Sequence, residues 1–259
     1  MKYLIFSGWW CDNNEKTDKR NKYIGDDSIR DKEFHKKWYD CINKYTSPEK
    51  ILIIDSNSPI KPDLNLDPRI ELLSLNNNFG HSTNHEGTMC GYTRSCLLGI
   101  YYAFLCDLDY CIYIEQDSLI KGNNIIEEAI KKMKKPYMFG SAKGTPNALQ
   151  QSFFIIRKDG YIPFLTRMNG FKSTCNKLAP ENKFAIATSS FLSKLPECIF
   201  YLRGIGRLLS YWPSFDILPF GYGRSRPINF NDQYLYFQHG SVEELERFKH
   251  SANNDTFKN

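Results

Sequence analysis

Residues 110–117 read Tyr-Cys-Ile-Tyr-Ile-Glu-Gln-Asp. A short apolar run with no polar alternation, closed by an acidic tip, marks a strand covered on both faces. Residues 3–7 (YLIFS), 50–54 (KILII) and 70–75 (IELLSL) have the same character upstream. Between the first two, Phe34, Trp38, Ile42 and Tyr45 recur at spacings of four, four and three, which predicts a helix within 28–45. Thr46-Ser47-Pro48 ends it. A helix is expected at 91–106, then the strand at 110–114, a helix at 124–134, and strands at 136–140 and 151–156. Lys158-Asp159-Gly160 reads as a turn, 183–194 as helix, 198–203 as extended chain and 234–238 as strand. Ser241 with Glu244 forms a capping box ahead of a last helix at 242–250. Residues 11–27 read as a polar loop and 251–259 as a polar tail. Alternating strands and helices predict an α/β fold: a mostly parallel sheet flanked by helices.

The chain has 259 residues, of which 41% are hydrophobic and 15% aromatic. That suffices for one domain with a substantial core and excludes collagen-like, coiled-coil and fully disordered readings. No apolar run approaches the roughly 18 residues of a membrane span. The Met1–Phe6 stretch is too short for a signal peptide and reads as a buried strand. The expectation is a soluble, cytoplasmic protein without a transmembrane segment. The net charge of +5, from 34 basic against 29 acidic residues, is spread along the chain without a long basic block. Nucleic acid is therefore not an expected partner. The eight cysteines form no CxxC pair and fit buried thiols in a reducing compartment.

In an open α/β sheet, ligands sit beyond the carboxyl ends of the strands. That directs attention to Ser7-Gly8, Asp55-Ser56, the stretch from Asn76 to His81, and Glu115 to Asp117. In extended chain Glu115 and Asp117 point the same way. Two acids so placed repel or share a cation, and oxygen ligands suit a hard ion such as Mn²⁺ or Mg²⁺. The plainer alternative is a solvated strand end whose aspartate caps the next turn.

This strand with its E-Q-D tip resembles the D-x-D region of GT-A fold glycosyltransferases, whose short acidic motif holds a metal on the diphosphate of a nucleotide sugar. The resemblance implies a GT-A-like arrangement: a nucleotide-sugar-binding half to about residue 120, an acceptor half over 121–250, and the tail. It implies Asp117 as a direct metal ligand and His239 as a late second ligand. Glu115, Gln116, Ser7 and Asp55 would line the donor site. Arg94, with Gly87 and Gly91 permitting close backbone approach, would lie against the diphosphate. Glu115 departs from the family by standing where an aspartate is usual. The general base would be Glu181, in the first turn of a helix opened by Pro180, with Asp216 as the alternative. Residues 204–226, rich in glycine, arginine and aromatics that include Tyr211, Trp212 and Tyr222, would line the acceptor site.

The implied reaction is metal-assisted transfer of a sugar from a nucleoside-diphosphate sugar to a hydroxyl of a glycan, polysaccharide or glycoprotein, with inversion. The enzyme would be cytoplasmic, or peripheral at a membrane where glycans are assembled. Two rivals stand beside it. A sugar-phosphate nucleotidyltransferase would carry a Gly-rich basic loop after the first strand, where this chain has Ser7-Gly8-Trp9-Trp10-Cys11-Asp12. A non-catalytic glycan-binding protein on the same fold is the other.

Overall fold

A computed structural model of the protein describes residues 1–12, 24–64, 66–83, 85–143, 145–211 and 214–254. Most of the loop read at 11–27, together with Trp212 and residues 255–259 of the tail, lies outside the described residues.

Strand β1 (Tyr3–Trp9) leads to helix α1 (Phe34–Tyr45), then to β2 (Lys50–Asp55) and β3 (Ile70–Ser74). Helix α2 (Gly91–Leu105) precedes β4 (Tyr110–Ile114). A short strand β5 (Ser118–Lys121) and helix α3 (Ile125–Lys131) follow, then β6 (Tyr137–Gly140) and β7 (Gln150–Arg157). Helices α4 (Lys158–Gly170), α5 (Pro180–Thr188) and α6 (Ile205–Ser210) lead to β8 (Asp216–Ile217), β9 (Leu235–Gln238) and α7 (Val242–Asn254).

Seven strands form one sheet in the order β3-β2-β1-β4-β7-β6-β8. β3, β2, β1 and β4 are mutually parallel; β1, β2 and β4 are buried on both faces as expected, whereas β3 is a half-exposed edge strand. β7 runs antiparallel to both β4 and β6, so the sheet is mixed. Strand alternation divides the core. Leu4, Phe6, Cys111 and Tyr113 face α2, α4 and α5, where Phe154, Phe164 and Phe184 also pack. Tyr3, Ile5, Ile112 and Ile114 face the opposite side with Trp38 and Ile42 of α1. Each such wholly buried side chain contributes about 1.5–3 kcal/mol. Phe154 stacks on Tyr113 at 5.1 Å and lies 6.0 Å from Phe6, joining three strands.

Helix α1 stops where foreseen: both the backbone N–H and the hydroxyl of Thr46 donate to the Ile42 carbonyl. The capping box also forms, Ser241 N–H to Glu244 at 3.1 Å and Glu244 N–H to Ser241 Oγ at 3.3 Å. Four local readings differ from the structure. Lys158-Asp159-Gly160 opens α4 rather than a turn; Gly160 and Pro163 mask a helical face formed by Tyr161, Phe164, Leu165 and Met168. The stretch read as extended at 198–203 is largely a 3₁₀ helix, Glu197–Tyr201. The helix read at 183–194 is α5, which ends at Thr188, with only a 3₁₀ turn at Leu192–Lys194 beyond it. Strand β5, which has no counterpart among the predicted elements, pairs with β9 in a separate two-stranded ribbon. A third apolar cluster, including Leu119, Phe230, Phe237 and Phe248, packs that ribbon against α7.

Candidate functional site

The ribbon assembles the site. Its antiparallel register pairs Ser118 with Gln238 and Lys121 with Leu235. Carried one residue past the ladder, the same register sets Asp117 against His239. His239 Nε2 indeed lies 3.1 Å from Asp117 Oδ2. A slip of one residue would turn both side chains to the wrong face. His239 has a left-handed backbone, φ +57°, which costs a non-glycine residue about 1 kcal/mol. Such strain persists only where the surroundings impose it. Here Arg226 imposes it, donating to the carbonyls of Gln238 (2.9 Å) and His239 (3.3 Å) while pairing with Glu244 at 2.5 Å. From the other side Asp26 N–H donates to the Gly240 carbonyl at 2.8 Å. A Cβ on Gly25 would come within 2.7 Å of the His239 backbone, so only glycine fits there.

The two acids do not share a strand face, contrary to the extended-chain expectation. The chain turns after β4, with Ser118 N–H donating to the Glu115 carbonyl at 2.9 Å. They meet instead through β9. Gln238 Nε2 donates to Glu115 Oε2 at 2.5 Å, and its own Oε1 accepts from Arg224 Nε at 3.4 Å. The Arg224 backbone is held by Gln150 Oε1 at 2.9 Å. Glu115, Asp117, Arg224, Gln238 and His239 thus form one cluster at the carboxyl end of β4.

Burial alone would raise the pKa of Asp117. His239, the Gln238 amide and the more distant Arg30 outweigh it, so the carboxyl titrates below the ordinary aspartate range. Asp117 is therefore a carboxylate at neutral pH. Glu181, in the first turn of α5, is shifted the other way: burial raises its pKa, and Arg224 offsets only part of that.

The remaining expected residues are placed as follows. Gln116 exchanges two hydrogen bonds with the Trp10 backbone, at 2.7 and 2.9 Å, and ties the tip of β1 to that of β4. Arg94 stands in the first turn of α2, its Nε on the Met89 carbonyl at 3.0 Å and its guanidinium 3.6 Å from the centre of the Phe79 ring. Gly91 does not open a path to a ligand; the Gly80 carbonyl already lies against it. Asp55 lies at the end of β2, but its buried carboxylate is engaged by Lys61 and by the Ser58 N–H at 2.9 Å. Its pKa is lowered because these partners outweigh burial.

Ser7 and Asp216 lie outside the cluster. β1 runs on to Trp9, so Ser7 is buried inside the strand with its hydroxyl on the Gly8 carbonyl. Asp216 accepts from the backbone N–H groups of Lys134 (2.6 Å) and Lys135 (2.7 Å), just before β6. β6 runs in the direction of β4, because β7 is antiparallel to both. Asp216 is therefore at the amino end of the sheet, opposite the cluster.

Sequence reasoning passed over Gln238. Its place at the end of an aromatic strand, directly before His239, was the available signal. Arg224 appeared in the sequence as one of several arginines in a loop; only the fold sets it beside Gln238.

Among the described residues no group of three or more His, Cys, Asp or Glu side chains is placed to hold a metal. Asp117 and His239 fit a hard divalent ion as a two-ligand set. Asp117 Oδ1 is buried and has no hydrogen-bond partner, so this carboxylate keeps an oxygen for a cation. The 3.1 Å between the facing oxygen and nitrogen is close to the edge, about 3.0 Å, of an octahedron with ~2.1 Å bonds. Ions such as Mg²⁺ commonly take only one or two protein ligands and complete their shell with water and substrate phosphate. No protein-family model matches this chain, and no curated protein does.

Proposed function

We propose that the protein is a GT-A-like glycosyltransferase, moving a sugar from a nucleoside-diphosphate sugar to a hydroxyl acceptor. One observation carries this reading. Asp117 and His239, far apart in the chain, meet at 3.1 Å at the carboxyl end of β4, where an open α/β sheet binds its ligand. The parallel β3-β2-β1-β4 half followed by the antiparallel β7 supports the same reading. The tip of β1 argues against a nucleotidyltransferase. Gly8 packs on Ser95, Trp9 is buried, the Trp10 backbone is bound by Gln116, and the sequence holds no further glycine before Gly25, unlike the Gly-rich basic loop such an enzyme would carry there.

In this mechanism Asp117 and His239 would hold a Mn²⁺ or Mg²⁺ ion. When bound, it would supply charge neutralisation for the departing diphosphate. Glu115, oriented by Gln238, lies beside Asp117 and is placed to accept a hydrogen bond from a donor hydroxyl. Arg224 adds positive charge on the same side. Glu181 takes the proton of the acceptor hydroxyl as its oxygen bonds to the anomeric carbon. The bond from that carbon to the diphosphate oxygen breaks, and the electron pair leaves with the nucleoside diphosphate. A base whose pKa is raised by burial suits this work near neutral pH. Attack opposite the leaving group inverts the anomeric centre.

The test is calorimetry with UDP- and GDP-sugars, with and without Mn²⁺, followed by assays of donor hydrolysis and transfer. The expected result is metal-dependent binding of one donor class and slow hydrolysis of that donor, both lost in Asp117→Ala. Binding without turnover would favour the glycan-binding alternative. Turnover unchanged in Asp117→Ala would remove the metal assignment.

A further inference from the structure

Sixteen large apolar side chains are exposed among the described residues, and six of them fall within residues 191–211. They are Phe191, Ile199, Tyr201, Leu202, Leu208 and Tyr211. Scattered exposed apolar residues are ordinary; this density in one segment is not. The segment is two short 3₁₀ turns, Leu192–Lys194 and Glu197–Tyr201, followed by α6. It is anchored from beneath by Phe200 and Leu209, which are buried in the core with Phe184 of α5. Gly206 packs so closely on Asn182 and the backbone at Pro146 that no side chain would fit. The exposed residues are therefore the outward side of a fixed layer. Leu208 and Tyr211 lie three apart, on one face of the helical turn, and Ile199 and Leu202 are likewise three apart, one 3₁₀ turn.

The charge of the segment is one-sided. Lys194, Arg203 and Arg207 are all exposed. Its single acid, Glu197, is turned inward, accepting from the backbone N–H groups of Lys172 (2.8 Å) and Ser173 (2.7 Å). Aliphatic and tyrosine side chains interleaved with unopposed basic residues match the boundary between anionic headgroups and acyl chains. A second copy of the chain would meet this face with the same positive charge, which disfavours self-association.

We propose that residues 191–211 form a membrane-docking surface that seats the protein on an anionic phospholipid leaflet. The apolar side chains enter the headgroup boundary, and Lys194, Arg203 and Arg207 pair with lipid phosphates. The segment lies on α5, so docking brings the helix that carries Glu181 to the membrane surface. For a transferase this suits a lipid-linked acceptor, a consequence that rests on the function proposed above; the docking itself does not.

The experiment is co-sedimentation of the full chain with phosphatidylcholine vesicles, with and without about one third phosphatidylglycerol. Binding to the anionic vesicles, weakened by salt and much reduced on neutral ones, is expected. Removing one basic contact costs about fivefold in affinity. Arg203→Glu/Arg207→Glu should therefore weaken binding at least 25-fold, about fivefold squared. Leu202→Ser/Leu208→Ser should weaken it by about tenfold or more. All four positions are exposed, and circular dichroism should show both variants folded. Absence of binding to anionic vesicles, equal binding by these variants, or equal binding to neutral vesicles would overturn the proposal. So would a dimer in sedimentation equilibrium that either variant dissolves. Asp117→Asn should bind vesicles like the wild type. Loss of transfer and loss of docking are thereby read separately, and either reading can fail alone.

Discussion

Asp117→Asn keeps the shape of the side chain and removes its charge. Its effect on stability without ligand should be small. The folded-state pKa of Asp117 is lowered below the ordinary 3.8, so ionisation contributes stability at neutral pH, lost as pH falls through the folded value. That contribution opposes the desolvation of a nearly buried carboxylate, and a loss of about 1 kcal/mol at pH 7 is expected. In a chain of this size it lowers Tm by roughly 2–4 °C, and the gap to wild type should close in strongly acidic solution. With Mn²⁺ and UDP the contrast grows. A ligand at 100 times its Kd stabilises the folded state by about 2.7 kcal/mol, or roughly 5–10 °C. Wild-type protein should show that rise in differential scanning fluorimetry, and Asp117→Asn should lose nearly all of it. A variant that kept the full manganese-dependent rise would refute the reasoning, because Asp117 is the carboxylate that lies 3.1 Å from His239.

Glu181→Gln should lower kcat by about 10²–10⁴-fold with donor binding unchanged, and the wild-type kcat/KM should fall as pH drops through a pKa above the ordinary 4.5. An acid limb at or below that value would place the base elsewhere. Lys183→Met should destabilise by about 2 kcal/mol in urea titration, roughly 4–8 °C in Tm. The fully buried ammonium donates to the carbonyls of Thr88 (2.8 Å) and Ser173 (2.6 Å), which the variant would strand; relief of the ammonium's desolvation offsets part of the loss. Gly99→Ala should cost about 1–3 kcal/mol, seen as a lower urea midpoint at unchanged m, because its Cβ would fall 2.2 Å from the buried Phe6 ring.

Local signals located much of this molecule correctly. The strands at 50–54, 110–114 and 136–140, the helix face of Phe34, Trp38, Ile42 and Tyr45, and the capping box are all present within a residue or two. Each rests on side chains close in sequence, so a window of ten residues contains the cause. The misreadings share one origin. α4 was hidden by Gly160 and Pro163, whose low helix propensity is overridden by the packing of Tyr161, Phe164 and Met168. Asp55 and Ser7 stand near strand ends where ligands bind, yet their polar atoms are taken by Lys61, Ser58 and the Gly8 carbonyl. Which partner reaches a polar group first depends on the path of neighbouring loops, which periodicity does not encode.

The sequence by itself determined the alternation of strands and helices, the double-sided burial of the central strands and the acidic tip after β4. It also put His239 directly after an aromatic strand. Tertiary structure alone decided that β7 reverses direction, that Asp216 lies at the wrong end of the sheet, and that Asp117 faces His239. The last depends on the register of two four-residue strands far apart in the chain. Hydrogen bonding between them is nearly indifferent to sequence, and the correct offset is selected by the side chains on the buried face of the ribbon, Leu119 and Phe237 among them, once α7 covers them.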